Sequence, residues 1–499
     1  MACAIELSDV EARGKQIYLN GVSPSGEPIL AFLGTDRIEL PASAAPCGNC
    51  HGIDGRGRPE GGVVPANITW SELSKGYGHE HAFGRRHPEF DEASLAVSIL
   101  GGTDPAGNTL EVAMPRYQML PEDIDALIAY IKRLEYDFGP GVSEQVIRIG
   151  TLLPLSGPAA SQGQAIREVL TAFFREINTG GVNGRQVELE VIPLGASPAE
   201  TAGNVQRVLA SSSLFALVAS YIPVGHAELA ASLAQFEIPV IGPVSRTPDE
   251  DRHRLAQAFY LYSGTPELMR SLLQFSRVED PGEHKRQVIV GPESTLLRDV
   301  SETLADDETR RTETLPYTTV GFEAAGTAAL LHDTDDVFFL GAPAELGELF
   351  AALAVTKTWP RVFLPAAIAT PQLLNAPVGF DGRVFVAYPT RPGDVTDSGQ
   401  ALFARLGANG QLSTAHVASQ VAALAAARIL VEAMQRVGHG LNREQLMSSL
   451  EGMNAYPTGL SPPVTFNLNR RIGARGAHIV TLDLEAGLLV PAAAWIELP

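Results

Sequence analysis

Residues 47–51 read Cys-Gly-Asn-Cys-His, and this pentapeptide constrains the chain more than any other stretch. Two thiols three positions apart can add to the two vinyl groups of a haem while the adjacent His51 reaches the iron. A zinc site would need two further Cys or His ligands at short spacing. With three cysteines in all, His79, His81 and His87 are what the chain could offer to complete one. A dithiol redox pair needs a strand-to-helix setting, whereas Pro-Ala-Ser-Ala-Ala-Pro at 41–46 reads as loop. The motif therefore favours one covalently bound haem c, held by Cys47, Cys50 and His51. The third cysteine, in Ala2-Cys3-Ala4, fits the small-residue pattern of a signal-peptidase site, a lipid-anchored cysteine, or an ordinary surface thiol.

The flanks are in keeping with a haem domain. Residues 11–18 predict a first helix, with Gly14 where close helix packing requires a missing side chain. Pro65-Ala66-Asn67-Ile68-Thr69 predicts a loop over one haem edge, and Ala113-Met114-Pro115-Arg116-Tyr117 offers a thioether in a loop. Residues 120–131 form an acid-started helix with apolar positions at three-to-four spacing. This order resembles the class I cytochrome c domains, especially those of membrane alcohol and sugar-acid dehydrogenases, over residues 8–138. The resemblance implies Met114 as the distal iron ligand, with Met119 in the same loop as its competitor. The inserted Ala66 departs from the family's Pro-Asn loop. His-plus-thioether ligation fills both axial positions, which implies electron transfer with a redox partner protein, and assembly after export.

Gly139-Pro140-Gly141 breaks the helical texture. The expected division is a small all-α cytochrome c domain (1–138), a linker (139–145) and a second domain (146–499). In the last, strand-like runs at 146–153, 187–192, 215–220, 288–291, 337–340 and 384–387 alternate with helical stretches such as 165–177, 199–210 and 344–356. Such alternation implies parallel βαβ units. The roughly 350 residues exceed one open sheet, so an α/β fold of two doubly wound lobes is expected, with a small-molecule cleft outside the carboxyl ends of the strands. The chain's 499 residues carry 37 basic and 57 acidic side chains, a net charge of -20. That charge repels phosphate backbones and anionic lipid, which argues against nucleic-acid binding. No uninterrupted apolar run approaches the roughly 18 residues of a membrane span.

The second domain opens with Ile147-Arg148-Ile149-Gly150-Thr151-Leu152-Leu153-Pro154-Leu155-Ser156-Gly157-Pro158 and continues to Ile177-Asn178-Thr179-Gly180-Gly181-Val182-Asn183-Gly184-Arg185. These strings resemble the type I periplasmic binding proteins, the branched-chain amino-acid receptor family, over residues 145–499. The resemblance implies a small organic ligand, an amino acid or organic acid, and uptake through an ABC transporter permease. The loops that hold a ligand carboxylate in that family read Ala219-Ser220-Tyr221-Ile222-Pro223-Val224-Gly225-His226 and Gly242-Pro243-Val244-Ser245-Arg246-Thr247-Pro248. The pocket candidates are Ser156, Gln162, Tyr221, Ser245, Arg246 and Thr247. Arg246 replaces a small polar residue and either faces an anionic ligand or turns outward to Asp249 or Asp251. His226, His253 and His416 are isolated, and no nucleophile elbow or metalloprotease helix is present, so no enzyme is expected. The reading is a periplasmic, exported cytochrome c fused to a solute-binding module. The alternative is a redox-linked ligand sensor or an electron-transfer partner of a periplasmic quinoprotein dehydrogenase.

Overall fold

Ser8 and Glu11 start the first helix by capping each other, the Glu11 N–H donating to Ser8 Oγ and the Ser8 N–H to the Glu11 carboxylate at 2.7 Å. The helix Asp9–Asn20 ends on a left-handed Gly21. The helix Pro121–Arg133 has proline in its first turn, Glu122 and Asp123 beside it, and Lys132 and Arg133 at its end. This is the charge order that the helix dipole favours. Its buried residues Ile124, Leu127, Ile128 and Ile131 form one face. In the computed structural model, which describes residues 7–57, 62–81, 84–211, 213–222, 227–244, 257–279, 286–305, 311–318, 321–409 and 412–498, these two helices cross and centre the first core.

The chain separates into two compact units. The first comprises residues 1–146 together with the short segment Val437–Asn442, where the Gly139 N–H donates to Leu441 O. Its helices carry two small sheets that the all-α expectation did not include. Leu30–Leu33 pairs antiparallel with both Ile38–Pro41 and Arg116–Gln118, and His79–Glu80 pairs with Arg86–His87. The strands are short, four residues at most. Runs of that length carry almost no periodicity to read.

The second unit holds two sheets. Strand order in the first is Ile472–Ala474, Ala258–Tyr262, Val240–Ile241, Ala216–Val218, Val146–Leu153, Gln186–Pro193. The second runs Arg311–Tyr317, Arg286–Pro292, Asp336–Phe339, Arg361–Pro365, Val384–Tyr388, Gly476–Asp483, Leu488–Pro491. The central strands pair in parallel and are buried on both faces, as Ala216–Val218 and Asp336–Phe339 illustrate, while Gly476–Asp483 runs antiparallel to both its neighbours in the second sheet. This is the expected doubly wound α/β architecture.

Three chain segments pass from one sheet to the other: the one after Tyr262, the one after Tyr388, and the one between Ala474 and Gly476. Side chains tie them together. The Gly476 N–H donates to Ser263 Oγ at 2.8 Å. His478 Nε2 lies 2.9 Å from the Asp394 carboxylate, which also accepts from the Arg391 N–H and Thr390 Oγ1.

One helix, Val417–Val437, is long and apolar enough to cross a bilayer by length and composition. Ser419, Gln420, Arg428 and Glu432 interrupt its apolar run, and Ala423–Ala427 and Ile429–Val431 are buried inside the domain. Asn183 Nδ2 donates to its Met434 carbonyl. It is a core helix.

The Asp394 knot gives a pH prediction. Burial pushes this carboxyl upward, but hydrogen bonds from His478, the Arg391 N–H and Thr390, with the charge of His478, more than offset it and leave the pKa below the ordinary aspartate value. A depressed folded pKa contributes stability above the unfolded value, about 3.9, that is lost as pH falls through the folded one. Asp394→Asn should therefore lower the melting temperature of the second unit at pH 7, and the gap to wild type should close below about pH 4. A gap constant from pH 7 to pH 3 would show that the carboxylate contributes nothing through its charge.

Candidate functional site

Cys47–His51 forms one short helical turn entered from the extended Pro46. His51 is buried, and its Nδ1 lies 2.8 Å from the carbonyl of Ala66. Donation from Nδ1–H to that carbonyl fixes the tautomer and leaves the Nε2 lone pair free for a metal. Burial lowers the imidazole pKa, so the ring is neutral and ligand-competent at neutral pH. The expected loop at 65–69 does meet the motif, through Ala66 itself. Because that contact uses a backbone atom, no side chain in the sequence announced it.

The thiols separate the readings left open by the motif. Burial pushes the Cys47 thiol up to about 12. A dithiol redox catalyst needs its attacking thiol lowered instead. Among the described residues no group of three or more His, Cys, Asp or Glu side chains converges to hold a metal, so Cys47, Cys50 and His51 have no zinc-completing partner there. Two free thiols and a tautomer-fixed histidine on one turn are a donor set that fits haem c.

Tyrosines brace this turn. Tyr18 donates to Gly52 O and Tyr117 to Ala45 O, each at 2.6 Å, one on either side of the motif. Met114 and Met119 are both half-buried, and both pack against the first unit's core. The Arg116 guanidinium donates to the Met114 carbonyl and, at 2.9 Å, to Leu110 O, clamping the loop that carries Met114. Gly102 makes room for it: a Cβ there would lie 1.6 Å from Arg116 Nε. Met114→Ala should abolish the thioether-to-ferric-iron band and lower the reduction potential with haem still attached, while Met119→Ala changes neither. The opposite pattern would make Met119 the ligand.

In the second unit, the Tyr221 N–H donates to Leu152 O and Tyr221 bridges to Val244. The three loops after strands Val146–Leu153, Ala216–Val218 and Val240–Ile241 thus lie side by side at their carboxyl ends. Ser156 is exposed and Tyr221 half-buried along that edge. Gln162 donates to Ser419 Oγ at 2.9 Å. His416 hydrogen-bonds Ser161. Ser245, Arg246 and Thr247 lie outside the described residues, as do His226, His253, Asp249, Asp251 and Cys3.

A profile of the periplasmic binding protein family matches residues 146–487, and a profile of cytochrome c matches residues 42–135. No curated protein matches the chain. Among solved structures, the fatty acid ABC transporter substrate-binding protein from Thermomonospora curvata is similar at 19% identity and a TM-score of 0.52, over 73% of this chain and 95% of that one. A leucine-binding protein from Thermotoga maritima aligns at 13% identity and 0.52, over 70% and 98%. A branched-chain amino acid ABC transporter protein from Thermus thermophilus with bound valine aligns at 15% and 0.53, over 71% and 97%. At these identities the likeness speaks for the fold.

Proposed function

Because the chain belongs to the periplasmic binding protein family and carries a cytochrome c domain ahead of that fold, we propose that it couples one-electron transfer to recognition of a small organic acid in the periplasm. The observation that carries the haem half is His51, neutral and with Nδ1 tied to Ala66, beside two free thiols. Cys47 and Cys50 would each form one thioether, His51 would supply the proximal nitrogen, and Met114 the distal sulfur. A haem c held there would supply one-electron transfer. The chain's own part is to hold His51 in one tautomer and to keep the Met114 loop closed through Arg116, so that both residues would be available to the iron.

In the second unit the three connecting segments act as the hinge on which two lobes close over a ligand. The three solved relatives named above are described with a fatty acid, leucine or valine, each of which carries a carboxylate. That shared group supports an anionic acid here, gripped by the Arg246 guanidinium through paired hydrogen bonds. The binding family consists of receptors rather than catalysts, and delivery to an ABC permease is the use that family suggests. The fused cytochrome favours the second reading, a redox-linked sensor or partner of a periplasmic dehydrogenase.

Calorimetry with a panel of small acids, amides and alcohols, combined with reduced-minus-oxidised spectra, tests this. An acid should bind, and Arg246→Ala should cost about 2 kcal/mol or more, roughly thirtyfold in affinity. Unchanged affinity would mean that Arg246 points away from the ligand.

A further inference from the structure

His79, His81 and His87 of the first unit take no part in the haem reading and lie close together. His79 and His87 are directly opposed on the antiparallel pair His79–Glu80 and Arg86–His87. His81 follows two residues after His79, so all three project from one face of that ribbon. Their rings lie 5.0 to 6.1 Å apart. His81 Nε2 and His87 Nε2 approach to 2.9 Å.

The protonation pattern decides what this pair can do. His87 Nδ1 is 2.7 Å from Pro88 O, which requires the proton on Nδ1 and directs the Nε2 lone pair toward His81. An outer hydrogen bond of this kind is how proteins orient a metal-binding histidine. The ring is buried and held edge-on by Phe90 at 4.9 Å. Nearby cations are already neutralised, Arg85 by Asp104 at 2.7 Å and Arg86 by Glu80 at 2.8 Å. Glu72 adds a carboxylate 3.4 Å from His79 Nδ1. Among the described residues the surroundings therefore place no unpaired cation beside the two rings to repel a dication.

We propose that His81 and His87 bind a divalent ion of the zinc class through their Nε2 atoms, separately from the haem. At zinc–nitrogen distances of about 2.0–2.1 Å, two nitrogens 2.9 Å apart subtend an angle near 90° at one ion. Opening to the tetrahedral angle requires them to separate by only about 0.5 Å. No group of three or more candidate ligands converges among the described residues, so the protein supplies two nitrogens and solvent completes the shell. Imidazole ligands suit zinc, copper and nickel better than calcium or magnesium.

The test is titration of the haem-loaded full chain with Zn2+ at pH 7.5 by calorimetry, with Mg2+ in parallel. One Zn2+ should bind per chain, Mg2+ should not, and His81→Gln and His87→Gln should each weaken binding at least about tenfold. His332→Gln, at an exposed residue paired with Asp333, should leave it unchanged. Haem absorbance and melting temperature of each variant separate lost ligation from lost folding. Should the variants unfold, Cu2+ bound to wild type must show nitrogen coupling in its paramagnetic resonance. Absence of one-to-one zinc binding in wild type, equal affinity in folded variants, or an oxygen-only copper spectrum would reduce the pair to an N–H···N hydrogen bond and overturn the proposal.

Discussion

Replacing Cys47 and Cys50 together with serine should leave essentially no haem on the polypeptide after denaturation, while each single replacement should retain an attachment through the remaining thioether. The basis is chemical: a thiol adds to a vinyl group and a serine hydroxyl does not. The thiols sit on one turn of helix, so both would be within reach of one haem. With the Cys47 thiol pushed up to about 12, it waits as a neutral thiol at neutral pH rather than as a reactive thiolate. Haem-stained denaturing gels and intact mass of the exported protein read the result. The second unit has its own cores, so acid binding by the double variant should match wild type. Haem surviving denaturation in the double variant would place attachment elsewhere.

How much of this was legible in the sequence depended on how local the chemistry was. Haem attachment needs contiguous residues, so five letters announced it. The binding fold was legible because buried parallel strands are apolar runs separated by helices, as at Val146–Leu153 and Ala160–Ile177. What the sequence concealed depends on backbone atoms or distant pairs. Ala66 acts through its carbonyl, a group every residue has. His478 and Asp394 are 84 positions apart and meet only because a short segment carries the chain from the first sheet to the second. Val437–Asn442 belongs to the first unit although it lies within the helical region of the second; Gly438-His439-Gly440 marks a helix end there but not the change of unit. Gln162 lies in the helix Ala160–Ile177 and meets Ser419, 257 positions away, a pairing that no local pattern announces.

Gly14 illustrates the opposite case, a single letter whose structural meaning was plain and whose replacement should be severe. Gly14→Val should remove the calorimetric transition of the first unit and strip most of its haem content, leaving the second unit's transition in place. A Cβ at this position would lie 2.0 Å from the Ala126 carbonyl oxygen and 2.7 Å from Tyr130 Cβ. The nearest obstacle is backbone, which cannot rotate away as a side chain would. The helices Asp9–Asn20 and Pro121–Arg133 must therefore separate, and overpacking of this kind costs about 3 kcal/mol or more. For a domain whose whole stability is on the order of 5–15 kcal/mol, that is a large share. Separation also travels to the haem turn. Tyr130 packs edge-on against Tyr18 at 5.5 Å, and Tyr18 holds Gly52, the residue after His51. Gly76→Ala is the matched control, because nothing lies within 4 Å of a Cβ there. Equal haem content and an unshifted first transition in Gly14→Val would show that the two helices do not meet as closely as Gly14 and Ala126 place them.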